Sequence, residues 1–170
     1  MPQGRTRDTS VTKISRLQAD ARDLHEALSE LVQAYQFRDR RTICYYDISV
    51  TQCYALSSVI GQGPMTLSDL ASELYLDKST ASRVVNSLVK KGYVRRSSDP
   101  EDARALRLEA TTRGLDLHAK IIEQLVEEMK ILIAHDKPAM RRATIRLVGR
   151  LARAASKKFK RKPQRRCCAT

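Results

Sequence analysis

Residues 78–91 read KSTASRVVNSLVKK, a stretch with Lys and Arg but no Asp or Glu. At 3.6 residues per turn, Lys78, Ser79, Thr80, Ser82, Arg83, Asn86, Ser87 and Lys90 share one face. Ala81, Val84, Val85 and Leu88 share the other. An ordinary solvated helix mixes both signs so that i,i+4 pairs form. A face of cations and neutral hydrogen-bonders instead suits a polyanion. Arg can bond guanine in bidentate fashion, Asn can do so to adenine, and hydroxyls and a helix N-terminus suit phosphate oxygens.

A second chemically capable stretch is RTICYYDISVTQC, residues 41–53, which holds two of the four cysteines and two adjacent tyrosines. Cys44 follows Arg40 and Arg41, cations of the kind that lower a thiol pKa. Together with Tyr45 and Tyr46 it is a candidate effector or sensor site. Cys53 sits among Tyr54, Leu56 and Val59 and reads as a small buried hydrophobe, with a sensing role beside Cys44 as the alternative. Cys167-Cys168 is a vicinal pair able to hold a soft metal, but two residues make a weak motif. His25, His118 and His135 lie on separate segments without a nucleophile or a metal-ligand spacing around them. Gly61 and Gly63 do not make a phosphate loop. The expectation is a protein that is not an enzyme and carries no metal or cofactor.

Composition sets the bounds. The chain has 170 residues, a formal net charge of +13, and neither Trp nor a run of apolar residues long enough to span a membrane. Aromatics are too scarce for a single-strand stacking platform. Seven of the ten residues from Lys157 to Arg166 are Lys or Arg, so residues 157–170 read as a basic, disordered tail on a moderately basic body. The N-terminus lacks an apolar signal core, which leads us to expect a cytoplasmic protein with reduced thiols.

The elements that must position these residues follow from periodicity. Ile14, Leu17, Ala21, Leu24, Leu28, Leu31 and Tyr35 repeat at 3-4 spacing, which predicts a long helix over about 11–39. Ser49 with Gln52 forms a capping box for a helix over VTQCYALSSVI, ended by Gly61-Gln62-Gly63-Pro64. Thr66 caps LSDLASELY, with Asp69 in its first turn and Leu67, Leu70, Ala71 and Leu74 inward. Asp77 is placed as N-cap of the cationic helix, and Gly92 as its left-handed stop. YVRRSS and ARALRLEA read as two strands of a hairpin, with Leu106, Leu108 and Ala110 on one face. Thr111 or Thr112 opens a helix to about 134, and a last helix runs over 138–158. Two short helices, a polar-faced helix and a hairpin make a winged helix-turn-helix. The expected fold is therefore mainly α with a small β-hairpin wing.

The segment MTLSDLASELYLDKSTASRVVNSLVKKGYVRRSSDPEDARALRLEATTRG resembles the DNA-binding core of the MarR family of bacterial transcription regulators. The sharpest pieces are the recognition-helix pattern and the wing DPEDARALRLEATTRG, similar to the family's D-x-R signature followed by L-T-x-x-G. Here Asp102 and Arg104 carry the signature, with Ala103 where a second Arg is common. The resemblance implies a MarR-type domain over residues 1–156, with a winged lobe at about 49–110. Long helices at about 11–39, 112–135 and 138–158 would form a dimerisation base. It implies a homodimer on double-stranded DNA, most often a repressor, released by a small effector bound where the base meets the lobe. Lys78, Ser79, Thr80, Ser82, Arg83 and Asn86 would enter the major groove, and Arg104 would reach the minor groove or its phosphates, with Arg96 or Arg107 replacing the missing wing cation. Asp77 would pair with Arg104 to set the wing's angle, a plain N-cap being the alternative. A thiol- or metal-responsive regulator sensing through Cys44 and Cys53 is the competing reading.

Overall fold

The computed structural model describes the backbone of residues 7–98 and 106–159, and the side chains of these from residue 16 to residue 158. Ile14, Asp102, Ala103, Arg104, Cys167, Cys168 and residues 160–170 of the basic tail lie outside the described side chains. The elements in order are α1 (Arg7–Ile43), α2 (Val50–Gln62), β1 (Met65–Thr66), α3 (Leu67–Glu73), α4 (Lys78–Lys90), β2 (Val94–Ser98), β3 (Leu106–Ala110), α5 (Thr112–Ile133) and α6 (Pro138–Phe159). The chain divides into two units, residues 1–124 and 125–170, with α5 passing from the first into the second.

Each short helix of the first unit starts where its side chains can satisfy the free N–H groups of a first turn. The Ser49 hydroxyl accepts from Gln52 N–H and the Gln52 side chain accepts from Ser49 N–H, a reciprocal cap. Thr66 and Asp69 make the same box at α3. Asp77 caps α4 by accepting from Thr80 N–H at 2.8 Å. Helix α4 ends in a Schellman pair, Gly92 N–H to Val89 C=O and Tyr93 N–H to Leu88 C=O, with Gly92 at φ +75°.

Helix α3 is shorter than the LSDLASELY segment suggests. Tyr75 lies in the left-handed region at φ 54°, and Leu76 N–H bonds back to Ala71 C=O. The turn therefore begins at Leu74, and a tyrosine holds a conformation usually given to glycine, at a cost of about 1 kcal/mol.

The core of this unit gathers Leu56, Leu70, Val85, Leu88, Val94, Leu108 and Ile121, each nearly inaccessible. Burial of one such side chain contributes about 2 kcal/mol. The wing is the outer part of a three-stranded antiparallel sheet of order β1-β3-β2. Val94 pairs with Ala110 and Arg96 with Leu108, while Met65 of β1 takes the other side of Leu108. Strand β1 has only two residues and carries no alternation to be read from sequence. Leu106 departs from the expected inward face. It is 55% exposed, because it pairs with Ser98 in the last rung of the ladder before the connecting residues 99–105, past the helices that cover Leu108.

Helix α5 begins at a close approach. Thr111 N–H donates to Tyr93 C=O, its hydroxyl donates to Gly92 C=O at 2.6 Å, and the same oxygen accepts from Gly114 N–H. A Cβ at Gly114 would stand 2.1 Å from the Tyr93 carbonyl oxygen, so only glycine fits. In α1, Asp39, Thr42 and Ile43 are buried, whereas Leu17, Leu24, Leu28, Leu31 and Val32 are exposed in the single chain. In the second unit, Val126, Ile131 and Leu132 of α5 and Met140, Ile145, Leu147 and Val148 of α6 are likewise exposed.

Candidate nucleic-acid interface

Ala81, Val85 and Leu88 face the core from α4, which turns its cationic side to solvent. Asp77 organises the first turn beyond simple capping. It also accepts from the hydroxyls of Ser79 and Thr80 at 2.5 and 2.7 Å. These bonds hold its carboxyl well below the usual carboxylate range. The Ser79 and Thr80 hydroxyl protons, expected from sequence to meet phosphates, thus point at Asp77. Lys78 is exposed at the start of the helix. Arg83 is exposed and bends back to Ser79 C=O only at 3.4 Å, a long contact easily given up.

Further along the face, roles diverge. Ser82 is half-buried, and Ser87 accepts from the Gln52 side chain at 2.9 Å, tying α4 to α2. Lys90 is exposed, while Lys91 donates to the Asp47 carbonyl at 2.7 Å and its carboxylate at 3.0 Å. Asn86 is exposed, and its Oδ1 accepts from the Arg96 guanidinium of β2 at 2.5 Å. The recognition helix and the wing are thereby joined through a pair of residues both read from sequence as separate DNA contacts.

Within the wing, Arg95 donates to Glu109 directly across the ladder, and Ser97 donates to the other Glu109 oxygen at 2.6 Å. These contacts hold the Glu109 carboxyl below its ordinary range and cancel its charge. Arg107 is half-buried on β3, opposite Ser97 and Thr66. Arg104, and with it the proposed Asp77–Arg104 pair, lies outside the described residues.

The cysteines separate. Cys53 is 3% exposed, and burial, with the Asp39 charge adding, pushes its thiol up to about 11. It is an inert core residue, as its apolar neighbours implied. Cys44 is exposed and lines an open groove of about 460 Å³ with Phe37, Arg40, Arg41 and Tyr45. Tyr46 turns away from it, its hydroxyl donating to Gln124 of α5 at 3.1 Å. Among the described residues no cluster of His, Cys, Asp or Glu has the makings of a metal site.

Two polar networks had no sequence signal. The first centres on Asp39, a carboxylate 5% exposed near the end of α1. Arg38 donates to its Oδ1 at 2.7 Å and the Tyr54 hydroxyl to its Oδ2 at 2.5 Å, locking α1 to α2. Burial and this bond push the Tyr54 phenol up to about 12. The second joins Ser57 Oγ and His118 Nε2 at 2.8 Å, between α2 and α5, where desolvation lowers the imidazole pKa. Tyr54 lies 15 residues from Asp39 and His118 lies 61 from Ser57, and neither network is marked by a motif.

A capped, acid-free helix presented beside a short antiparallel hairpin defines a winged helix-turn-helix lobe, built for duplex nucleic acid. The comparisons with known proteins agree. A model of the MarR family matches residues 46–105. The putative transcriptional regulatory protein for the hcr operon of Thauera aromatica is 31% identical over 117 residues, covering 68% of this chain and 70% of that protein. The HTH-type transcriptional regulator SarZ of Staphylococcus haemolyticus is 23% identical over 111 residues, covering 64% of this chain and 73% of its own length. In fold, the chain superposes on a MarR family protein from Bacillus stearothermophilus with a TM-score of 0.77 at 19% identity, over 82% of this chain and 97% of that one. A MarR transcriptional regulator from Methanosarcina mazei Go1 gives 0.69 at 25% identity, over 80% and 98%.

The chain belongs to the MarR family of winged helix-turn-helix transcription regulators. It is a DNA-binding regulator and not an enzyme. No helix among the described residues is long and apolar enough to cross a membrane.

Proposed function

We propose that the protein is a cytoplasmic homodimer that binds a pseudo-palindromic operator and represses transcription until a small effector releases it. The observation that carries the reading is the exposed face of α4, where Lys78, Arg83, Asn86 and Lys90 stand clear of any acidic residue of the helix. In the dimer, two such faces read half-sites about one helical turn apart, and the doubled contacts supply the affinity that one lobe lacks. The exposed apolar residues of α1, α5 and α6 support a second copy as their cover. Arg83 reads a base edge in the major groove and Arg104 reaches the minor groove. The effector binds near Cys44, Tyr45 and Tyr46 and works by favouring one spacing of the two lobes.

The test is a gel shift with Arg83→Ala and Arg104→Ala. Each is expected to lose sequence-specific binding, with a cost of about 1–3 kcal/mol per base contact, while sedimentation still reports a dimer. Specific binding retained by Arg83→Ala would remove the groove assignment. Of the two described cysteines, a thiol-responsive reading is carried by Cys44, exposed beside Arg40 and Arg41, because Cys53 is shut in the core. Alkylation of Cys44 that leaves operator release unchanged excludes it.

A further inference from the structure

We propose that Arg96 sets the base preference of the recognition helix by holding the Asn86 carboxamide in one orientation, so that Asn86 reads guanine and not adenine. The proposal rests on α4 being the helix that enters the major groove.

The Arg96 guanidinium donates to Asn86 Oδ1 at 2.5 Å. A guanidinium has only donors, so the amide atom that faces it must be the oxygen, and the NH2 group is turned away. This removes the usual ambiguity about which way an Asn side chain points. The bond is charge-assisted and therefore among the stronger kinds. The side chain of Arg96 is exposed, but its backbone is held within the sheet. Its backbone pairs with Leu108, which is 2% exposed at the centre of the sheet, between β1 and β2. The carboxamide is thus fixed from an element other than its own helix.

The consequence concerns which base fits. Adenine recognition by Asn needs both amide atoms, Oδ1 accepting from N6–H and Nδ2 donating to N7. With Arg96 on one lone pair of Oδ1, adenine N6–H would have to share the same oxygen and bring a second donor up against a cation, which disfavours adenine relative to a base that offers only acceptors. Guanine offers two acceptors, O6 and N7, which match the outward Nδ2 and the remaining N–H groups of Arg96. Arg83, one turn earlier on the same face, is also donor-only. The Ser79 and Thr80 hydroxyl protons go to Asp77 and do not compete for these acceptors. From sequence alone Asn86 suggests adenine. The contact from the wing reverses that expectation. Arg96 is accordingly a positioning residue, acting on specificity through Asn86.

The test is selection from randomised DNA duplexes at physiological salt, using the full chain as wild type, Asn86→Ala, Arg96→Ala and Arg96→Lys. Both positions are exposed, and a dimer with an unchanged far-UV spectrum verifies that each variant is folded. Asn86→Ala is expected to erase the preference at one base pair per half-site, which identifies the pair Asn86 reads. At that pair the wild type is expected to select guanine, Arg96→Ala to shift towards adenine by about tenfold, and Arg96→Lys to keep guanine. Adenine selected by the wild type there, or guanine kept unchanged by Arg96→Ala, overturns the proposal. If Asn86→Ala alters no base pair, base reading by Asn86 fails as well, and the two failures are told apart.

Discussion

Gly114→Ala sets two physical effects against each other with opposite signs. The residue is the third of α5, where alanine is favoured over glycine by about 1 kcal/mol on helix propensity. Propensity alone therefore predicts a more stable protein. The structure predicts the reverse. The new Cβ would sit 2.1 Å from the Tyr93 carbonyl oxygen, 3.0 Å from its carbonyl carbon and 3.3 Å from Leu56 Cδ1. Two of these neighbours are backbone. Tyr93 cannot yield freely, because its N–H bonds Leu88 C=O at 2.9 Å and its C=O accepts Thr111 N–H at 3.1 Å. Overpacking of this kind costs about 1–3 kcal/mol, and loss of the Tyr93–Thr111 bond adds about 1 kcal/mol. Set against the propensity gain, the net is a destabilisation of about 2 kcal/mol. With a urea slope of about 2 kcal/mol per M, the midpoint should fall by roughly 1 M at unchanged slope. Protein concentration must be held equal, since a dimer's stability depends on it. A midpoint equal to or above that of the wild type would refute the reasoning, for it would mean that helix propensity outweighs the close approach.

Three further outcomes are expected. Iodoacetamide at pH 8 should modify Cys44 in the native protein but Cys53 only after unfolding, as read by peptide mass mapping; rapid labelling of Cys53 would contradict its placement in the core. Stability should decline in alkali, because Cys53 and Tyr54 titrate at about 11 and about 12 in the folded state, above their ordinary values of 9.0 and 10.0. Their contribution is complete below the unfolded values and is lost as pH rises through the folded ones, so Tyr54→Phe should flatten the fall between about pH 10 and 12 in a urea titration, and an unaltered slope would remove Tyr54 from the account. Removing residues 160–170, which carry five Lys and Arg, should lower the salt dependence of DNA binding by up to about 0.9 in log–log slope for each phosphate released, without altering the preferred sequence. A slope that does not move would show that this segment makes no phosphate contact.

What the sequence determined by itself is what acts over a few residues. The boxes at Ser49–Gln52 and Thr66–Asp69, the Asp77 cap and the Gly92 stop are all closed within one turn of helix, so their spacing is visible in the chain. The apolar stripe of α4 and the wing around Leu108 follow from periodicity, and with them the class of fold. Tertiary structure decided everything that needs two distant segments to meet. Strand β1 is too short to show a pattern and exists because Leu108 offers it a partner. Asp39 looks like any surface acid in a run of arginines, yet Tyr54 and Arg38 hold it buried. Leu106 fits the alternation of a buried strand but lies past the helices that would cover it. The same division runs through the site: the acid-free face of α4 is written in its own residues, whereas the orientation of Asn86 depends on Arg96, ten residues away on another element. Hydrogen-bond direction at a groove-reading side chain is a property of its neighbours in space, and only the folded chain supplies them.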